Sequence, residues 1–352
     1  MNKDRKKVFE VGSVLVKRYS EKMCLAEKLN RIKCMGSIID SHTVPKSNSL
    51  KKIAKDGHVY AYMHLDFMHI DSHKGKLKPK LIGVGKASTF KGFCGEHDRE
   101  LFSSVEIKDF EATPEQCFAL FYRAYAKEVY NKKVQHNDRK SNYDLVDKME
   151  QSEFIKQQAY NLLDKYFEGI ALAIDDVESL KPIMDDILET ENYEKSKALV
   201  LEFEAPLPFM VSGSVYPEQD FNGNSLQQLG SRNFDPLTSL GCTSFASNDR
   251  GYFVFSWLDL DNKLVEEFIN SFLEIKENYM FNHLLKMTFN FFENIYMSPE
   301  WWDSLGKEHQ DYLNNLMNRG MNPNIFTPKY PLKYDGYRLP SIQIDRITKV
   351  NF

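Results

Sequence analysis

The chain has 352 residues, 42% hydrophobic and 13% aromatic, with a formal net charge of −4. That composition excludes a disordered polypeptide, and the length allows two or three domains, each with its own core. No uninterrupted apolar run reaches the roughly 18 residues of a membrane span, so neither a transmembrane helix nor a membrane partner is expected.

The net charge conceals a split. Residues 1–100 hold 21 Lys and Arg against 11 Asp and Glu, and the remainder carries a net −14. A positive segment attracts phosphates, which points to nucleic acid, DNA before RNA. The plainer reading is that Lys74, Lys76, Lys78 and Lys80 form an exposed, solvated loop. The basic start is followed by a run that contains Glu10 and lacks a small-residue cleavage pattern, so no signal peptide is read. Five cysteines, odd in number and scattered, suit a reducing cytoplasm with thiols free to bind metal.

In chain order, residues 1–33 read as partly helical, with Ser20 a possible cap for 20–29. Residues 37–44 read as a short strand ending at Pro45, and 49–54 as a helical turn. The aromatic stretch 58–65 and the stretch 80–85 read as strands flanking a lysine-rich loop. A helix should open at Gly95-Glu96-His97-Asp98. At 113 the texture changes: Thr113 is a good N-cap, Pro114 fits the first helical position, and Gln116 completes a capping box. Two further helices are predicted over 147–172 and 176–197, and strands over 198–203 and 252–257. The Pro and Gly residues between those strands read as turn chemistry. Residues 263–296 return to helix, and the tail from 322 reads as irregular. The fold class is α+β. The division is a basic metal-binding module over 1–110, a helical segment over 111–197, and a mixed domain over 198–352.

The segment richest in chemistry is the first. Three of the five cysteines (Cys24, Cys34, Cys94) and six of the nine histidines fall between residues 24 and 97. Cys94-Gly95-Glu96-His97 places two ligand types two residues apart, which is knuckle spacing. Structural zinc takes four N/S ligands in a tetrahedron. Spacing leaves two sets open. Cys24 can join Cys34, Cys94 and His97, although a helix over 20–29 would oppose it. Alternatively Cys34, His42, Cys94 and His97 close a site without Cys24. His58, His64 and His69 read as packing residues on strand-like sequence. Cys117, on a helix face, and Cys242, in a Gly-Ser loop, read as ordinary thiols. No phosphate-cradling P-loop, nucleophile elbow or calcium loop is present.

The order Cys24, Cys34, Ser41-His42-Thr43-Val44-Pro45 and Phe93-Cys94-Gly95-Glu96-His97-Asp98 resembles an HNH-type zinc-containing nuclease. The resemblance is divergent and covers about residues 20–110. It implies a treble-clef-like ββα module around a structural zinc held by Cys24, Cys34, Cys94 and His97. It also implies His42 as general base and Asp98 at the last catalytic position. Mg or Mn would be a further cofactor for phosphodiester cleavage. Stand-alone proteins of this kind look like bacterial defence or mobile-element proteins. The sequence departs from the pattern at three places. Ser41 replaces the Asp before the catalytic His, with Asp40 displaced by one. Ser88 or Thr89 stands for the loop Asn. Nine residues rather than two separate Cys24 from Cys34. Two function classes therefore stay open: a metal-dependent endonuclease using His42, and a non-catalytic nucleic-acid- or protein-binding module with a structural zinc. If His42 is a zinc ligand, the first fails.

Overall fold

A computed structural model describes residues 20–45, 49–64, 66–229, 237–260, 263–319 and 329–352. The expectations for residues 1–19 and 322–328 lie outside them. The strands are β1 (Ser41–His42), β2 (His58–Tyr62), β3 (Pro79–Gly83), β4 (Thr89–Phe90), β5 (Ser196–Phe203), β6 (Phe209–Val215), β7 (Leu240–Ser247), β8 (Arg250–Leu258), β9 (Ile295–Met297) and β10 (Arg346–Val350). The helices are α1 (Lys51–Ile53), α2 (Phe67–Ser72), α3 (Gly95–Glu106), α4 (Pro114–Asn137), α5 (Arg139–Asp147), α6 (Glu153–Thr190), α7 (Leu264–Leu273), α8 (Glu277–Phe291), α9 (Pro299–Ser304) and α10 (Gly306–Asn318). Mixed helix and sheet bears out the α+β class. No described helix is long and apolar enough to cross a membrane.

Eight strands form one antiparallel sheet in the order β10-β5-β8-β7-β6-β9-β2-β3. Every residue of β7 is buried, which requires cover on both faces. Alternation along β5 sorts its residues. Leu199, Leu201 and Phe203 pack with Phe268, Leu284 and other residues of α7 and α8. Ala198 and Val200 pack on the opposite side with Phe118, Phe121 and Tyr125 of α4 and with Leu180, Met184 and Ile187 of α6. The result is three layers, with helices on both faces of the sheet.

The capping box at Thr113 and Gln116 forms as expected and starts α4. Helix α4 then runs close over β7, where Gly241 admits the ring of Phe121; a Cβ at 241 would collide with it. The two helices expected over 147–172 and 176–197 are instead α5 followed by one 38-residue helix, α6. Residues 173–175 contain no breaker, and Pro182 is accommodated inside the helix. Strands β6 and β7 occupy sequence read as turns. Cys242, expected in a loop, is a fully buried residue of β7. The tail is irregular over 329–345 but ends in β10, paired with β5.

The hairpin β2–β3 belongs to the main sheet, joined through β9. The cysteine-rich region is thus built from the two stretches that flank this hairpin. It packs on the α4 layer, where Ala26, Leu29, Phe93 and Phe102 share a core with Phe118 and Tyr122.

Candidate metal centre and the adjoining pocket

Residues 20–29, expected to be helical, form turns. Local propensity loses to pairing with the stretch before α3. Met23 N donates to Lys91 O (3.2 Å) and Leu25 N to Gly92 O (2.9 Å). On the other side of the same stretch, Ile39 N donates to Phe93 O and Gly95 N to Ser37 O, each 3.1 Å. Gly36, at φ +71°, turns the chain just after Cys34. These bonds bring both early cysteines to the N-terminus of α3.

There Cys24, Cys34, Cys94 and His97 place their ligand atoms within 4.8 Å of one another. His97 Nδ1 lies 3.2 Å from Cys24 Sγ and 3.2 Å from Cys94 Sγ, and Cys34 Sγ lies 3.9 Å from Cys94 Sγ. Zinc bonds of about 2.0–2.3 Å in a tetrahedron set ligand atoms roughly 3.3–3.8 Å apart, close to these values. His97 Nε2 lies 3.1 Å from the Ile32 carbonyl. A ligating histidine characteristically bonds its second ring nitrogen in this way, which aims Nδ1 at the metal. Burial pushes the Cys24 thiol up to about 12. Burial also opposes ionisation of Cys94, but hydrogen bonds from the His97 and Met35 backbone and from the His97 ring hold it down to about 6. A divalent cation would favour the thiolate at every cysteine of the set. The group can hold a metal such as zinc. The alternative set with His42 in place of Cys24 is not the one that converges.

His42 lies on β1, which pairs with β4 so that His42 faces Thr89 and Ser41 faces Phe90. The β1–β4 pair lies just before α3 in the chain. Ser88, at φ +64°, fixes the chain beyond His42: its hydroxyl pairs with Thr43 Oγ1 (2.6 Å) and accepts from Val44 N (2.7 Å). Asp40, displaced by one from the family position, is exposed and pairs with Lys91 at 4.0 Å.

His42 and Asp98 line one pocket of about 360 Å³ together with Glu106 of α3. Asp98 Oδ1 is buried and meets no donor in ordinary hydrogen-bond geometry, although the Ser41 hydroxyl lies close enough to act on the carboxylate. Burial pushes the Asp98 carboxyl above its ordinary value; Arg123, Ser41 and His42 pull it down and Glu106 adds to the rise. Behind the pocket the fully buried Arg123 donates to Glu106 Oε1 at 2.6 Å and lies 3.9 Å over the Phe102 ring. Sequence reasoning missed Glu106 and Arg123. The spacing Asp98, Phe102, Glu106 repeats every four residues along one helix face, which is the signal that could have found Glu106.

The remaining predicted positions lie elsewhere. His58 Nδ1 and His69 Nε2 contact backbone carbonyls of Asp56 and Lys78. The four lysines of the basic loop lie around β3, at the edge of the main sheet; Lys78 pairs with Asp311 (3.3 Å) and Lys80 with Asp66 (2.8 Å). Set against known proteins, the chain matches no family model, no curated protein and no solved structure.

Proposed function

We propose that the ββα region is a phosphodiester hydrolase site braced by structural zinc. The observation that carries this reading is the division of labour between the two clusters. Cys24 supplies the fourth ligand of the metal set, so His42 is spared and shares a pocket with Asp98 and Glu106. A neutral imidazole suits proton abstraction near pH 7. In this scheme His42 takes a proton from a water whose oxygen bonds to phosphorus. The phosphorus–oxygen bond to the leaving sugar breaks, and that alkoxide takes a proton from solvent.

The pocket's donors fit a hard divalent cation, because Asp98 and Glu106 bring two carboxylates to one pocket and Asp98 Oδ1 is buried. Mg or Mn held by Asp98 and Glu106 would stabilise negative charge on the leaving oxygen. Arg123 anchors Glu106 and supplies positive charge beneath Asp98. The zinc cluster fixes the start of α3, and with it the place of Asp98 one residue after His97.

The test is cleavage of plasmid DNA and of RNA with Mg or Mn. Wild-type protein should cut, and Asp98→Asn should lose at least about 100-fold in rate while keeping its zinc, a typical loss for a positioned catalytic group. Wild-type protein that cuts neither polymer with any divalent metal would overturn the proposal.

A further inference from the structure

A second cavity, of about 630 Å³, opens between the hairpin β2–β3, helix α4 and the segment leading into β9. It lies apart from the His42 pocket and shares none of its lining. Its size falls in the range of small-molecule sites. Its polar groups are unusual for a packing defect. His64 Nε2 and Asn131 Oδ1 are both buried and lack hydrogen-bond partners. Burying such atoms unmet is costly, so two of them on residues that line one cavity point to a ligand that meets them. Lys127 joins them from the preceding turn of α4, and the exposed Lys86 and Glu293 stand at the rim.

We propose that this cavity binds a nucleotide: a flat heterocycle with a carbonyl and amino edge, carrying a phosphate. The edge of such a base needs a donor and an acceptor side by side. The Lys127 ammonium donates to a ring carbonyl, Asn131 Oδ1 accepts from a ring or exocyclic N–H, and His64 Nε2 serves either role. Ile82 and the buried Tyr296 give the walls for a flat ring. Lys86 at the mouth meets the phosphate, and Glu293 accepts from a sugar hydroxyl. Burial brings Lys127 down to about 8, with Glu128 and Glu293 opposing. Burial also lowers His64, against Glu293, which keeps its imidazole neutral and able to bond a base. A bare phosphate would face Glu293 and leave Asn131 unmet. An amino-acid zwitterion would leave most of the volume empty. The inference does not rest on the cleavage reading, since binding is read without turnover.

The experiment is isothermal titration of the full chain with the four common nucleoside 5′-monophosphates, their nucleosides, inorganic phosphate and a single-stranded tetranucleotide. At least one monophosphate should bind, about tenfold or more tighter than its nucleoside and than phosphate, equivalent to about 1.4 kcal/mol. Lys127→Met, which removes the ammonium that also lies 5.3 Å over the Phe90 and Tyr130 rings, should weaken binding at least about tenfold. Lys86→Ala, at an exposed position, should abolish the advantage of monophosphate over nucleoside without changing thermal stability. Tetranucleotide binding as tight as the monophosphate marks a strand's base as the occupant; its failure marks a free nucleotide, and either upholds the site. No binding of any monophosphate at millimolar concentration, equal binding of inorganic phosphate, or binding untouched by Lys86→Ala would overturn it.

Discussion

Replacing Cys24 with Ser discriminates between the two ligand sets that spacing left open. The Cys24 backbone is held independently of the metal, because its neighbours Met23 and Leu25 bond to Lys91 and Gly92. The substitution therefore removes one sulfur ligand without releasing the segment that carries it. Zinc binding in small structural sites is worth about 10–16 kcal/mol in total. Shared among four ligands that is roughly 3–4 kcal/mol for each, so zinc affinity should fall by two to three orders of magnitude. Competition against a chromophoric chelator at pH 7 measures this directly. Cobalt substituted for zinc should also lose intensity in its thiolate-to-metal band. Cys117→Ser removes a buried thiol outside the four-ligand group and should leave metal affinity as it was. Zinc affinity of Cys24→Ser within about threefold of wild type, under 1 kcal/mol, would refute the assignment of Cys24 as fourth ligand.

Removal of the metal with a chelator should raise hydrogen exchange over 23–42 and 88–97 while β5, β7 and β8 stay protected, since the cluster braces two flanking stretches and not the main sheet; equal loss of protection everywhere would contradict this. At Asp335, burial pushes the carboxyl up, but hydrogen bonds from Tyr312 (2.9 Å) and Lys286 (3.1 Å) hold it below the usual range. Its folded form thus favours ionisation, so its contribution is present above the ordinary carboxyl pKa of about 3.9 and is lost as pH falls through the lower folded value. Asp335→Asn should flatten the acid limb of the stability profile in chemical denaturation, and an unchanged limb would refute that contribution.

The parts of the fold legible in the sequence were those written in local chemistry. Thr113, Pro114 and Gln116 declare the start of α4, and Cys94 with His97 declares a knuckle at the start of α3. The parts that were not legible depend on distant partners. Residues 20–29 carry no Gly or Pro, yet pairing with Lys91 and Gly92 holds them in turns. Strands β6 and β7 read as turns because Gly213 and Gly241 sit within them. Those glycines make room for the rings of Phe292 and Phe121, which sequence adjacency cannot reveal. The hairpin β2–β3 was read with the cysteines beside it, whereas β9, which joins it to the rest of the sheet, comes from more than 200 residues further along the chain. At the site, His42 and Asp98 were visible as residue types. Their common pocket with Glu106, and Arg123 behind it, depend on how α3 packs against α4.

The most direct measurement takes one preparation of His42→Ala and reads both metal content and nuclease activity in it. One zinc per chain is expected, as in wild type, because His42 is outside the four-ligand cluster. Cleavage with Mg or Mn should be reduced by about 100-fold or more through loss of the general base. Loss of zinc in His42→Ala, or full cleavage by a zinc-loaded His42→Ala, would contradict this reading.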